Sequence, residues 1–134
     1  MSPLSILYVE DNDDLREIIG TLFEGEDRSI TSCATAEDAL GLMAARRFDV
    51  LVTDVSLPGI SGTELARRLL QQDPEHWVVL CSGYEFRIGL DTLGPNVRAL
   101  LKPFDIEEFD RLLVDVQASR RRAEATAGNA KQLG

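Results

Sequence analysis

The sequence predicts an α/β fold in which a doubly wound parallel sheet of five strands is covered by helices. Five short and nearly continuous apolar runs occur, at 6–9, 30–33, 50–53, 77–81 and 99–101. Such runs are typical of strands that are buried on both faces. Helical patterns separate the runs, and right-handed crossover connections then place helices on both sides of the sheet. A chain of 134 residues has the length of one such domain.

The helix predictions rest on apolar spacing and on capping residues. A helix is predicted to start at a carboxylate cap at Asp13. Its apolar face follows a helical period and consists of Leu15, Ile18, Ile19, Leu22 and Phe23. Three further helix starts resemble capping boxes, in which two side chains satisfy backbone amides at the start reciprocally. They are Thr35 with Asp38, Ser61 with Glu64, and Asp105 with Glu108.

Two segments near the carboxyl terminus are less regular. The nineteen residues between Ser82 and Lys102 must hold a loop, a helix and a strand, yet they include three glycines and a proline. The fourth helix is therefore predicted to be short or irregular. The apolar stripe of the last helix fades after Gln117. We therefore expect a folded domain over 1–117, followed over 118–134 by a helix end and a mobile tail.

Composition and charge narrow the functional classes. The formal net charge of −9 makes direct binding to a nucleic-acid backbone unfavourable, whereas a cationic ligand is electrostatically easier to bind. No apolar run is long enough for a membrane helix, and the amino terminus lacks a basic signal region, so the expected location is the cytoplasm. Cys33 and Cys81 are far apart in the sequence, which predicts free, buried thiols.

The residues that end the predicted strands carry the chemistry. The runs end at Glu10-Asp11, Asp54, Ser82 and Lys102, and ligands of doubly wound sheets bind at this edge. Crowded carboxylates repel one another unless a cation is present, and Mg²⁺ prefers carboxylate oxygens and keeps open positions for phosphate. Asp54 is then a nucleophile of the aspartyl-phosphate type.

The same reasoning predicts the groups that would contact a phosphoryl group on Asp54. Lys102 supplies a positive charge. The hydroxyl of Ser82 and the amide of Gly83 can donate hydrogen bonds to its oxygens. His76, by contrast, is expected to be a surface loop residue, and Trp77 is expected at the opposite end of the sheet.

Taken together, these strand ends resemble the receiver domains of bacterial two-component response regulators. The matching segments are ILYVEDN, LVTDVSLPGISG, VVLCSGY and LLKPF, and the resemblance covers about residues 4 to 117. It implies the strand order 2-1-3-4-5 and a stand-alone phosphoacceptor signalling domain that is not an enzyme acting on external substrates. It also implies a sensor histidine kinase or phosphotransfer protein as phosphoryl donor, and output through protein contact.

The resemblance implies a role for each matching residue. Asp54 would accept the phosphoryl group, Asp11 and Asp54 would bind Mg²⁺ directly, Glu10 would act through water, and the carbonyl of Ser56 would complete the protein ligands. The bond between Lys102 and Pro103 would be cis.

One position departs from the family pattern. Receivers usually carry Tyr or Phe three residues before the lysine, and here Ala99 stands there.

Three alternatives share the predicted fold. A phosphatase with an aspartate nucleophile would carry a second Asp where Ser56 stands. A flavin-binding protein would not place five acidic or amide side chains after the first strand, because they repel phosphate. A degenerate receiver would act as an interaction module without phosphorylation, for which Ala99 and the short fourth segment are the support.

Overall fold

The computed structural model describes residues 3–83 and 93–133, with side chains as far as residue 123. Five strands form one parallel sheet: β1 (Leu4–Val9), β2 (Arg28–Cys33), β3 (Val50–Asp54), β4 (Trp77–Ser82) and β5 (Val97–Leu101). Their spatial order is β2-β1-β3-β4-β5, which confirms the predicted fold class and strand order.

Four helices occur in the described residues: α1 (Asp13–Phe23), α2 (Ala36–Ala45), α3 (Gly62–Gln72) and α4 (Ile106–Leu133). The short fourth helix predicted between Ser82 and Lys102 falls mainly on residues 84–92, outside the described residues. The last helix continues to Leu133, beyond the fading of its apolar stripe at Gln117. The mobility predicted for 118–134 and the domain boundary at 117 remain predictions.

The helix starts carry the N-cap half of the predicted capping boxes, with one correction at α1. Thr35 and Ser61 cap α2 and α3 by accepting hydrogen bonds from backbone amides three residues later. The carboxylate of Asp105 accepts from the amide of Glu108 in the same way. At α1 the cap is Asn12 instead of Asp13, because the amide oxygen of Asn12 accepts from Leu15 N–H.

The apolar face of α1 is narrower than its sequence pattern suggests. Phe23 is buried, whereas Ile18 and Leu22 are 60% and 54% exposed. The covered edge of the helix follows a spacing of four residues through Leu15 and Ile19, which are half-buried, to Phe23. The aromatic ring of Phe23 lies edge-on to Tyr8 of β1, with the ring centroids 5.2 Å apart.

Residues 1–104 form one compact unit and residues 105–134 form another. In the first unit, apolar side chains from β1, β3 and β4 pack against α2 and α3, and most of them are completely buried. The core of this unit includes Leu7, Val9, Leu51, Leu65, Ala66 and Leu80. Removing such surfaces from water is the main stabilising contribution, at about 25 cal/mol per Å².

The register of the sheet brings the strand ends to one edge. Val9 lies opposite Thr53, so that Glu10 and Asp54 follow on neighbouring strands. Asp54 itself lies opposite Cys81, and Ser82 lies opposite Leu101, which directly precedes Lys102. Among the described residues, no helix is both long and apolar enough to cross a membrane.

Candidate phosphoacceptor site

Three carboxylates meet at the carboxyl edge of the sheet. Glu10, Asp11 and Asp54 each place an oxygen so that all three oxygens lie within 4.8 Å of one another. Their environments differ, since Glu10 is buried, Asp54 is half-buried and Asp11 is exposed. A cluster with a buried base and an open side is suited to holding a cation that must also contact an incoming ligand.

Lys102 lies against two members of this cluster. Its ammonium is 2.9 Å from Oε1 of Glu10 and 3.3 Å from Oδ2 of Asp54. Burial by itself would lower the pKa of Lys102. The hydrogen bond to Glu10 and the charge of Asp54 outweigh that effect and raise the pKa above its usual value. The ammonium is therefore charged throughout the physiological range.

Glu10 is held in place at both its side chain and its backbone. Its second carboxylate oxygen accepts a hydrogen bond from the Asn12 amide at 3.2 Å. Its carbonyl accepts one from the guanidinium of Arg16 at 2.9 Å. A carboxylate that is only 2% exposed requires such partners, because an unpaired buried charge is strongly unfavourable.

The backbone around Asp54 is packed closely against the start of α3. The amide of Val55 donates to the carbonyl of Cys81, and the amide of Gly62 donates to the carbonyl of Val55. A Cβ atom on Gly62 would lie 1.9 Å from the carbonyl oxygen of Asp54, so only glycine allows this approach. Gly62 was not identified as a site residue from the sequence, although it stands in the quoted LPGISG segment.

A second residue that the sequence reasoning missed supports the loop after Asp54. Glu37, at the start of α2, accepts a hydrogen bond from the amide of Ile60 at 3.1 Å. Hydrogen bonds from its own amide and from that of Ile60 lower the pKa of Glu37. Gly59 beside it has a φ of +72°, a conformation that side chains rarely adopt. No local sequence signal links Glu37 to a loop 23 residues away.

The remaining predicted residues lie at the same edge. Ser82 ends β4 and is buried, its carbonyl accepts from the amide of Lys102 at 2.7 Å, and Gly83 follows it on the surface. Ser56 lies on the surface two residues after Asp54. The bond between Lys102 and Pro103 is cis, which confirms that expectation.

The two cysteines are free thiols, as the sequence predicts, although only Cys81 is fully buried and Cys33 is half-buried. Burial raises the pKa of Cys81 to about 12 and that of Cys33 to about 11. Both thiols are therefore protonated at neutral pH and are poor nucleophiles.

The donor set fits a divalent cation. Three carboxylates outweigh the single charge of Lys102, and their oxygens are the ligands that Mg²⁺ prefers. Asp54 is the last residue of β3, and its carboxylate contacts the same ammonium as Glu10. The arrangement can thus bind a cation and place a nucleophilic carboxylate next to it.

A comparison with protein families matches residues 6–114 to the response regulator receiver domain. The chain belongs to this family. The receiver is 36% identical to the transcriptional regulatory protein AfsQ1 of Streptomyces coelicolor, over 97% of this chain and 57% of that protein. The chain spans between 31% and 57% of the length of these curated relatives.

Solved structures agree with this assignment. A CheY-like receiver domain from Methylobacillus flagellatus superposes with a TM-score of 0.75 at 27% identity, covering 86% of this receiver and 99% of that chain. The response regulator TrrA of Thermotoga maritima, solved in complex with Mg²⁺ and BeF, superposes with a TM-score of 0.75 at 23% identity over 84% of this receiver and 98% of that chain. The TrrA comparison shows the shared fold.

Proposed function

We propose that the receiver is phosphorylated on Asp54 in a Mg²⁺-dependent reaction, as part of a two-component system or phosphorelay. The observation that carries this proposal is the contact of Lys102 with both Glu10 and Asp54, beside the exposed carboxylate of Asp11. This arrangement gathers a nucleophile, a cation site and a fixed positive charge within a few ångströms.

The transfer exchanges one phosphorus bond for another. An oxygen of Asp54 attacks the phosphorus of a phosphohistidine, a new P–O bond forms, the P–N bond breaks, and the leaving imidazole takes up a proton from solvent. The side chain of Asp54 is 14% exposed, so it is accessible from the open side of the cluster. Lys102 is placed to stabilise negative charge on the transferred group.

The cation would be held by Asp11 and Asp54 directly, by Glu10 through water and by the carbonyl of Ser56. Mg²⁺, when bound, neutralises charge on the phosphoryl oxygens. Without it, the carboxylates of the cluster would repel an incoming phosphoryl group.

Phosphorylation would change the local charge and so the local structure. Phosphorylation would replace the single negative charge of Asp54 with a phosphoryl group that carries nearly two, next to the ammonium of Lys102 that Glu10 also contacts. Ser82 ends β4 at the same edge and Gly83 follows it, and the hydroxyl of Ser82 and the amide of Gly83 would donate hydrogen bonds to the phosphoryl group. The resulting movement of the adjacent loops would alter a surface that a downstream protein recognises.

The donor would be a sensor histidine kinase or a phosphotransfer protein in the cytoplasm, and the receiver would catalyse only its own phosphorylation and dephosphorylation. The alternative of a degenerate receiver has no support from the described site, since the carboxylates and Lys102 come together there. Ala99, on which that alternative partly rested, lies exposed on β5.

Incubation with acetyl phosphate and Mg²⁺, followed by intact mass spectrometry, tests the proposal. We expect the wild type to gain one phosphoryl group and Asp54→Asn to gain none. Asp14→Asn is the matched control, because it removes an equal charge from an exposed position on α1 and should behave as wild type. Equal labelling of Asp54→Asn, or labelling that persists in excess chelator, would contradict the proposal.

A further inference from the structure

A cavity lies at the end of the sheet opposite the carboxylate cluster. It has a volume of about 450 Å³ and lies between the carboxyl-terminal ends of α2 and α3, next to the start of β4. Its lining includes Met43, Arg46, Arg47, Phe48, Leu69 and His76. The size is typical of sites for small organic molecules.

His76 is the polar group that distinguishes this cavity. Its side chain is only 11% exposed, which corrects the expectation of a surface loop residue. After α3, the side-chain amide of Asn96 donates a hydrogen bond to the carbonyl of Glu75 at 2.8 Å. This bond fixes the backbone next to His76, which directly precedes the first residue of β4.

The two ring nitrogens of His76 are not equally satisfied. Nδ1 lies 3.3 Å from Oδ2 of Asp73, whereas Nε2 is buried and has no hydrogen-bond partner in the described part of the chain. Burial keeps the pKa of the imidazole below its usual value. A neutral ring that donates from Nδ1 to Asp73 presents Nε2 as an acceptor, which requires a donor.

Positive charge also lies in the lining of the cavity. The guanidinium of Arg46 is held over the ring of Phe48 at 4.5 Å and donates to the hydroxyl of Thr31. Arg47 is exposed and forms no ion pair with any residue that the structure describes. The one carboxylate in the lining, that of Asp73, is hydrogen-bonded to His76 and keeps its charge, so two guanidinium groups stand against one negative charge.

We propose that this cavity binds a small organic anion that has an apolar body and a hydroxyl or amide donor. The acid group would pair with Arg47, and the apolar body would contact Met43, Phe48 and Leu69. The donor would satisfy Nε2 of His76, and a side-chain movement in the cavity wall must uncover this atom because it is buried. Arginine is suited to this role because its planar guanidinium binds carboxylates in a bidentate manner. The lining of this cavity shares no residue with the carboxylate cluster at Asp54.

Three related probes test the proposal by NMR: 4-hydroxybenzoate, benzoate and phenol. Only the first has both an acid and a separate donor. His76 is the only histidine in the sequence, so its ring nitrogens can be followed without ambiguity. We expect 4-hydroxybenzoate to shift the Nε2 resonance and to bind roughly tenfold more tightly than benzoate, which lacks the donor. Phenol should bind more weakly still, because a charge-assisted bidentate pair contributes more than a neutral hydrogen bond.

Variants separate this site from general surface binding. Arg47→Gln should weaken 4-hydroxybenzoate about tenfold. Arg68→Gln is the matched control, because Arg68 lies on α3 outside the cavity lining and should leave the affinity unchanged. His76→Phe should abolish the preference for 4-hydroxybenzoate over benzoate, because phenylalanine keeps an aromatic ring but has no acceptor. An unshifted Nε2 resonance, or equal weakening by Arg47→Gln and Arg68→Gln, would overturn the proposal.

Discussion

The ammonium of Lys102 and Oε1 of Glu10 lie 2.9 Å apart, although 92 positions separate the two residues in the sequence. Glu10 is almost completely buried, so this contact balances a carboxylate that water cannot solvate. It also joins the end of β1 to the end of β5. These two strands lie on either side of the pair β3 and β4 in the sheet.

Replacing Lys102 with methionine should therefore destabilise the fold as well as alter phosphorylation. We expect a loss of about 2 kcal/mol in the free energy of unfolding, less than for a fully buried pair because the lysine is partly exposed. Urea denaturation measures this loss. Adding Glu10→Gln to Lys102→Met should recover part of the stability, and a double variant that is no more stable than Lys102→Met would show that the pair is unimportant.

Asp11 is the exposed member of the carboxylate cluster, and its removal should weaken Mg²⁺ binding without unfolding the protein. We expect Asp11→Asn to lower the Mg²⁺ affinity at least roughly tenfold, because the ion loses a direct charged ligand. Titration followed by the backbone amide resonances of residues 10–12 measures the affinity. The control Asp14→Asn should remain within about twofold of wild type, and equal losses in both variants would indicate a general charge effect.

Sequence reasoning succeeded where a feature depends on local pattern. The apolar runs gave all five strands, and the order of polar residues at their ends identified the side chains that meet at the Asp54 edge. The helix caps at Thr35 and Ser61 could also be predicted, because each cap and the backbone amide that it binds lie three residues apart in the sequence.

The errors and omissions concern packing between distant segments. Ile18 fits the apolar period of α1 but is exposed, since the period does not reveal how wide the covered face is. His76 lies two residues after Pro74 in a loop, and only the folded chain shows that its ring is covered. Gly62 and Glu37 are likewise defined by neighbours that no local pattern specifies.

Gly62 gives the sharpest test of the backbone packing around Asp54. Gly62→Ala would place a methyl group 1.9 Å from the carbonyl oxygen of Asp54, so the loop or α3 must shift. We expect a destabilisation of about 2 kcal/mol or more, together with slower labelling by acetyl phosphate. Urea denaturation and timed mass spectrometry measure the two effects.

Gly41→Ala is the matched control for this substitution. Gly41 lies within α2, and a Cβ atom there would meet nothing within 4 Å. Alanine should stabilise the helix by about 0.5–1 kcal/mol, because it lowers the conformational entropy of the unfolded chain. A Gly62→Ala variant as stable as Gly41→Ala would show that the close approach to Asp54 is not restrictive.

The burial of His76 predicts a specific pH dependence of stability. Burial lowers its pKa from the usual 6.5, while Asp73 and Asp49 oppose that shift and Arg47 adds to it. Below pH 6.5 the unfolded chain therefore binds a proton at this position more readily than the folded one, so stability falls as the pH falls towards the folded pKa. Urea midpoints at pH 7.5 and 5.5 should differ more for wild type than for His76→Gln. An identical difference would show that the ring is not desolvated.

Trp77 tests the orientation of the whole sheet. It is the first residue of β4 and lies opposite Val50, the first residue of β3, whereas the carboxylates follow the other ends of these strands. Its ring is covered by the guanidinium of Arg98 at 5.0 Å. Millimolar Mg²⁺ should therefore leave the tryptophan fluorescence unchanged, while Arg98→Ala should alter it by removing that contact. Strong quenching by Mg²⁺ in the wild type would mean that the cation binds at the wrong end of the sheet for Asp54 to be the phosphoacceptor.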